Sequence, residues 1–363
     1  MGLNQPRSSV VLPRSVIRDI GAEPELVHGE LHHNCREIEF DGERYVFSKR
    51  AILTLVVSSV CNAGCHFCSN EITFTPKGFL QPSPSLQKVK DFALLAGVTK
   101  VAYSGGEPTL NPEALVDLVA FMNPGFTRSR VHTNGFGLFR KVEGTHGEVD
   151  LIDRLIGLGL SGVSVSVAHH DTELNRSIMD LPRSWAGMDA AALGAVAART
   201  SAAFSPRLSC VMTLDGVNSV QAMFDYLDWG RSLGFERFIF RTCSEIPSEF
   251  QKQTDFSQYN NQNYMSIEPL SAQILQRPGV ELTYRQRKSD SKVDVYTWQG
   301  LTFDVDESSE EPDPDSKIRR LNVMPDGVTY TSWIDSTQVM FSPEPATAPT
   351  YPGLLPLTVR SGA

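Results

Sequence analysis

The stretch "AILTLVVSSVCNAGCHFC", residues 51–68, decides the fold. Its first half, Ile52–Ser58, is a short β-branched apolar run of the kind that forms a strand buried on both faces. Its second half places Cys61, Cys65 and Cys68 within eight positions, spaced C-x3-C-x2-C. A strand that runs straight into a cysteine claw puts the claw at the strand's carboxyl end. In open α/β sheets and α/β barrels that is where ligands collect. Gly64, between the first two cysteines, allows a tight turn.

A strand–helix alternation continues downstream. Strands are expected at Val98–Tyr103, Arg130–Thr133, Gly162–Val167, Leu208–Thr213 and Arg237–Arg241. Helical patterns cover Pro84–Ala96, Pro112–Met122, Val149–Leu158, Met188–Ala203 and Asn218–Leu233. Roughly six βα units in about 190 residues fit an open barrel better than a closed one of eight. The expected fold class is therefore α/β, a partial (β/α)6 barrel over residues 50–245. Residues 1–49 form a short N-terminal β extension, with "REIEFDGERYVF" as a hairpin turning at Asp41-Gly42. Residues 246–363 form an irregular, β-containing C-terminal segment expected to cover the substrate. Within it, the Asn/Gln-rich stretch 253–265 reads as a surface loop or lid, and 305–316 as an acidic excursion. "IRRLNVMPDGVTYTSW" resumes a β pattern around a Pro325-Asp326-Gly327 turn, and the tail after Ser342 is Pro-rich.

Composition sets outer bounds. A chain of 363 residues, 41% hydrophobic and 21% charged, can bury a full core. A net charge of −9 argues against a nucleic-acid partner, because phosphate binding leaves a basic footprint. The longest apolar run, around Ala51–Val57, is too short to span a bilayer, so no membrane partner is expected. Met1–Val10 carries no hydrophobic signal region. Six cysteines are too few for a disulfide framework, and clustered free thiols suit the reducing cytoplasm.

Three close thiolates point to a metal site, but a closed structural zinc site takes four ligands. An iron–sulfur cluster held by three cysteines leaves one iron open to react. The alternative is a zinc knuckle completed by His66 or a remote ligand. Neither His66 nor any downstream C-x2-C follows finger spacing. A second motif, "YSGGEPTL" at Tyr103–Leu110, follows the next strand. Gly105 and Gly106 expose backbone there and Glu107 adds a carboxylate, a combination suited to an ammonium group. The plainer reading is a Gly-rich β-to-α turn with an acid near a helix N-terminus.

With both motifs in view, the sequence resembles the radical S-adenosylmethionine (SAM) superfamily. The match rests on "CNAGCHFC" and "SGGEPTL" and runs through about residues 50–245. It is most similar to the branch containing the molybdenum-cofactor cyclase and the peptide-modifying enzymes. Looser echoes are "HTNG" at 132–135, "VSVSVAHHDTELNRSI" at 163–178 and "GFERFIF" at 234–240. The resemblance implies that Cys61, Cys65 and Cys68 ligate a [4Fe–4S] cluster and that SAM chelates its remaining iron. It implies Phe67 near the adenine, and Gly105, Gly106 and Glu107 at the methionyl ammonium. Thr133 and Ser166 would approach the ribose and Arg176 the SAM carboxylate. Each of these last three has a plainer alternative, a strand-end cap or a surface ion pair. The implied chemistry is reductive cleavage of SAM to a 5′-deoxyadenosyl radical that abstracts hydrogen from substrate. An external one-electron donor such as flavodoxin or ferredoxin would supply the electron.

Two departures stand out. Ala168 occupies a position where many relatives carry an acid, and His169-His170-Asp171 follows it as a polar loop or a substrate-facing cluster. No cysteine follows Cys243, so a C-terminal auxiliary cluster is not expected and the molybdenum-cofactor cyclase itself is disfavoured. Cys210 and Cys35 read as structural cysteines. Cys243 is a candidate hydrogen-atom donor to a substrate radical, or a buried free thiol. Arg241 is a candidate for binding an anionic substrate group, or an ion pair at the core edge. The short N-terminal extension favours a small metabolite, sugar or nucleoside as substrate. A peptide-modifying enzyme is the alternative, and a zinc-binding interaction protein is the alternative of another class. A monomer is the default expectation.

Overall fold

A computed structural model describes residues 35–68, 78–185, 187–243, 255–287, 291–308, 317–333 and 336–343. His32-His33, most of the acidic stretch 305–316 and the Pro-rich tail lie outside them. The chain opens with the expected hairpin, β1 (Cys35–Phe40) and β2 (Glu43–Ser58). Asp41 and Gly42 both take positive φ, 52° and 81°, the conformation that matches a two-residue turn to strand twist. Phe40 pairs with Glu43 and Cys35 with Ser48 across it. β2 runs on for 16 residues, and its second half joins the main sheet.

The βα rhythm follows. α1 (Pro84–Leu95), β3 (Lys100–Gly105), α2 (Pro112–Met122), β4 (Arg128–Thr133), α3 (Leu151–Gly157) and β7 (Val163–Ser166) come first. α4 (Thr172–Ile178), α5 (Ala190–Thr200), β8 (Arg207–Met212), α6 (Val220–Ser232) and β9 (Arg237–Thr242) complete it. A small hairpin, β5 (Lys141–Gly144) and β6 (Gly147–Asp150), interrupts the run between β4 and α3. Local chemistry sets the helix starts. Ser83, Asn111, Asp189 and Ser219 each accept a hydrogen bond from a first-turn N–H, and proline opens α1 and α2.

The strands β2-β3-β4-β7-β8-β9 lie side by side in chain order and all run parallel. A doubly wound sheet would reverse its direction of growth; this one never does, which is the order of a barrel. Register explains why its two faces differ. Leu53, Val101, Ser129 and, one step on, Leu55, Tyr103, Val131, Val163 fall in line across the sheet. Most belong to the apolar core that also holds Leu86 and Phe92 of α1, Leu115 of α2 and Tyr226 of α6. The alternate positions, such as Thr54, Arg130, His132, Ser164, Arg207 and Arg241, are polar and face the lumen. Cys210 belongs to the helix-facing row, fully buried, with its thiol 3.2 Å from the carbonyl of Ala168.

The C-terminal segment serves both margins of the barrel. α7 (Asp255–Asn263), α8 (Ile267–Ile274), β10 (Val280–Arg287), β11 (Ser291–Trp298) and β12 (Leu301–Ser308) come first. β12 pairs in parallel with β9, and β11 and β10 extend that margin antiparallel. β13 (Ile318–Val323) pairs in parallel with β2 at the other margin, followed by β14 (Thr329–Tyr330) and β15 (Val339–Phe341). One expectation is corrected here. The Asn/Gln-rich stretch is not a loop where it is described but the helix α7. Its hidden side is polar: Ser257, Asn260 and Asn263 recur every three residues and are 2%, 2% and 6% exposed. That stripe satisfies backbone rather than filling an apolar core, as when the Asn263 side-chain amide oxygen accepts from the Leu214 N–H at 2.7 Å. No helix among the described residues is long and apolar enough to cross a membrane.

Candidate active site

The claw leaves the end of β2 pressed against the end of β3. The Gly106 N–H donates to the Ser58 carbonyl at 2.6 Å, and the Glu107 N–H donates to the Val60 carbonyl at 2.8 Å. A Cβ on Gly106 would stand 2.2 Å from the Val60 oxygen, and one on Gly105 2.4 Å from the Ser58 oxygen. Gly105 also takes φ +121°. The two glycines are therefore required by close approach of backbone to backbone, directly beneath Cys61. Gly64 meets the other wall. Its N–H donates to the Asp180 carbonyl at 3.2 Å, and an added Cβ would lie 2.5 Å from the Asp180 side chain.

None of the three claw cysteines is in a disulfide; Cys61 is exposed and Cys65 and Cys68 are half-buried. The turn between the latter two is closed by the Cys68 N–H donating to the Cys65 carbonyl at 3.0 Å. Burial pushes the Cys61 thiol up to about 11, with neighbouring Glu107 and Cys68 adding to it. Burial and the other two thiols push Cys65 higher still. Without metal these are neutral thiols at pH 7, so loading a metal must expel their protons.

Glu107 is the hub beside the claw. It is 1% exposed. One carboxylate oxygen accepts from the Thr109 N–H at 2.9 Å and from the Thr109 and Thr133 hydroxyls at 2.5 Å each. The other accepts from the Asn134 N–H at 2.7 Å. Burial raises its pKa while these four donors oppose the rise. Asn134 in turn donates from its side-chain amide to the Asn62 oxygen at 2.9 Å, inside the claw. Asn62 and Asn134 are residues that sequence reasoning missed. The "HTNG" echo was the available signal for the second.

Thr133 closes β4, its hydroxyl given to Glu107 while accepting from the Gly135 N–H at 2.8 Å. Ser166 closes β7, half-buried. Phe67 and Cys65 pack with Trp185 against a small cluster of Ala168, Ile178, Met179 and Leu181. Arg176 lies on α4 with its guanidinium 3.6 Å from Glu173. Asp171 caps α4, accepting from the Glu173 and Leu174 N–H groups at 3.0 Å each. Asn175, also missed, holds the Ala168 N–H at 2.8 Å.

This arrangement has known counterparts. The model for the Radical SAM superfamily matches residues 55–192, from β2 into α5. Over those residues the chain is similar to radical SAM proteins. GTP 3′,8-cyclase of Chlorobaculum tepidum is 34% identical over 128 residues, 34% of this chain and 34% of its own length. Molybdenum cofactor biosynthesis protein 1 of Mus musculus is 28% identical over 123 residues, 33% of this chain and 18% of its own length. The chain thus spans a third or less of these curated relatives. Among solved structures, Streptococcus suis SuiB bound to S-adenosylmethionine gives a TM-score of 0.49 at 14% identity, over 78% of this chain and 61% of that one.

The radical SAM family implies a [4Fe–4S] cluster and SAM, and the residues present fit them. The donor set is three thiols, with the carboxylates of Glu107 and Asp180 as charged neighbours. Among the described residues no three His, Cys, Asp or Glu side chains converge on a point as a single ion requires. A four-iron cluster meets each thiolate at a different iron, so spread thiols suit it. The His66 ring lies 5.4 Å from the Tyr259 ring of α7.

Across the mouth of the barrel, Cys243 follows β9 at 2% exposure, its sulfur 3.7 Å from the Met212 carbonyl. Asp215 and Tyr259 are its charged and polar neighbours, and the Tyr259 hydroxyl donates to Asp215 at 3.1 Å. Arg241 projects from β9 into the lumen, 3.7 Å from Asp306 of β12.

Proposed function

We propose that the protein is a radical SAM enzyme acting on a small molecule held in the barrel lumen. When bound, a reduced [4Fe–4S] cluster and SAM supply a 5′-deoxyadenosyl radical able to take hydrogen from an unactivated carbon. The observation that carries this reading is the claw of Cys61, Cys65 and Cys68 seated on Gly105-Gly106 at the strand ends. In it the three thiolates hold the cluster. The backbone of Gly105 and Gly106 faces the methionyl end of SAM, and Phe67 flanks the adenine. Ser166 and Arg176 supply polar contacts further out.

Besides meeting the methionyl ammonium with Gly105 and Gly106, Glu107 has a second part. With four hydrogen bonds from its own chain, it fixes β3, β4 and the claw relative to each other. Thr133 serves the same node. Strands β12 and β13 of the C-terminal segment cover the substrate, a reading supported by the lumen-facing register of Asp304, Asp306 and Asn322. Exclusion of water by these strands protects a reactive intermediate. An external one-electron donor of the flavodoxin or ferredoxin kind would supply the electron, in the cytoplasm.

Anaerobic reconstitution with iron and sulfide tests this. About four irons per chain, a broad brown absorbance and 5′-deoxyadenosine formed from SAM under reductant are expected. A single tightly bound zinc with no SAM turnover refutes it.

A further inference from the structure

The lumen of this barrel is lined with guanidinium groups. Arg130 on β4, Arg207 on β8, Arg237 and Arg241 on β9 and Arg320 on β13 all fall in lumen-facing register. The carboxylates that accompany them are Asp304 and Asp306 of β12. His132 adds no charge, because burial and the nearby Arg241, Arg207 and Arg130 hold its imidazole well below the usual value. Arg207 feels Arg130 and Arg241 as like charges and Asp304 and Asp306 as opposite ones, so these groups share one electrostatic space. Among the described residues positive charge exceeds negative within it.

The existing pairs do not use up the guanidinium donors. Arg207 stands 3.9 Å from Asp304 and Arg241 stands 3.7 Å from Asp306, beyond hydrogen-bonding distance for a charge-assisted pair. Arg207 also gives its Nε–H to the Ser164 hydroxyl at 3.3 Å, yet its side chain is only 12% exposed. One oxygen of Asp306 and both polar atoms of the Asn322 side chain are buried without a partner. Asn322 lines up with lumen-facing Thr54 and is fully buried. Buried donors and acceptors left in this state are characteristic of a site that a polar ligand completes.

We infer that the lumen binds its substrate through an oxyanion, a phosphate or carboxylate gripped by Arg207 and Arg241 with Arg130 behind them. This rests on the enzyme reading above and names the substrate class for it. The register also orients the substrate. Arg207 lies two residues before Ser209, the neighbour of rim residue Ser166, so its backbone is about 7 Å below the rim. The anionic end thus points down and the reacting carbon up, toward the claw. Asp304 and Asp306 keep the arginines apart and limit the site to ligands that outcompete them.

The test uses anaerobically reconstituted enzyme with SAM bound, titrated calorimetrically at low ionic strength with inorganic pyrophosphate and, separately, with succinate. Saturable binding of pyrophosphate assigns a phosphate, and of succinate a carboxylate. R207Q and R241Q, checked for unchanged circular dichroism, are expected to weaken that binding about tenfold or more. D304N, which removes a competing anion without removing an arginine, is expected to tighten it. Wild-type enzyme that binds neither probe, or variants that all bind as wild type does, overturns the inference. SAM cleavage is assayed on the same wild-type preparation without probe. Cleavage without anion binding sinks only this inference, whereas anion binding without cleavage sinks the enzyme reading and leaves the anion site standing.

Discussion

The hydroxyl of Thr133, at the end of β4, donates to the carboxylate of Glu107, just past β3, at 2.5 Å. That bond joins two neighbouring strand ends next to the cysteine loop. It makes Glu107, a motif residue expected to meet a ligand, a brace for the cysteine loop as well. In E107Q an amide N–H would face one of the donors now satisfied, leaving a buried group unpaired. We expect a loss of about 1–3 kcal/mol in denaturant unfolding, with reduced iron loading. Wild-type stability together with full iron content would show that the brace is dispensable.

G106A separates backbone fit from side-chain chemistry. The new Cβ would stand 2.2 Å from the Val60 oxygen, so the segment before Cys61 must move. Iron bound after reconstitution should fall severalfold while helical circular dichroism is kept. G157A, where an added Cβ meets nothing within 4 Å, is the matched control and should load normally.

Cluster assembly should be coupled to proton release. The Cys61 thiol is raised to about 11 and Cys65 beyond it, so each must lose a proton near neutral pH to bind iron. Loading should be more complete at pH 8.5 than at pH 6.5. For the metal-free protein the sign reverses. The unfolded thiols ionise near 8.5 and the folded ones later, so the unfolded state loses protons first and stability falls as pH rises from there through 11. Solvent around exposed Cys61 tempers its share. Chemical denaturation of the metal-free protein from pH 8 to 11, compared with C61S, reads this out; a flat profile contradicts it.

Cys243 sits at the mouth with a hydrogen available on sulfur. If it returns that hydrogen to a substrate radical, product formed in D2O carries solvent deuterium, because thiol protons exchange with water. C243A should form product without that label or stop before product. Normal turnover and normal labelling in C243A would leave Cys243 as a packing residue.

Tyr259 ties α7 to the β8–α6 connection through Asp215. Y259F should cost about 0.5–1.5 kcal/mol and speed proteolytic cleavage around α7, while strands remote from it stay protected. Unchanged cleavage kinetics would mean that α7 is held by its polar stripe alone.

The barrel was legible because its signals are local. β-branched runs, caps such as Ser83 and Asn111, and the Asp41-Gly42 turn each declare an element without reference to distant residues. The claw and the double glycine were legible for the same reason. What escaped depends on contacts across the chain. Asn62 and Asn134 are 72 positions apart and matter only because β2 and β4 bring them together. α7 hid behind its composition, since a buried stripe of Ser257, Asn260 and Asn263 leaves no apolar period to detect. Short α4 and the β5–β6 hairpin are too brief for periodicity to register. Arg241 was visible as a strand-end cation, but its partner Asp306 lies 65 positions away on a strand whose placement no local pattern dictates.

Consecutive strands β12 and β13 end up on opposite flanks of the parallel array, one beside β9 and the other beside β2. The last third of the polypeptide is thus a clasp that fastens both sides. A fragment stopped after residue 245 would keep every cysteine and every loop of the catalytic half, yet present raw β9 and β2 backbone as two sticky templates. Such a fragment should clump. Ribosome-bound chains that have not yet delivered β12 and β13 face the same hazard.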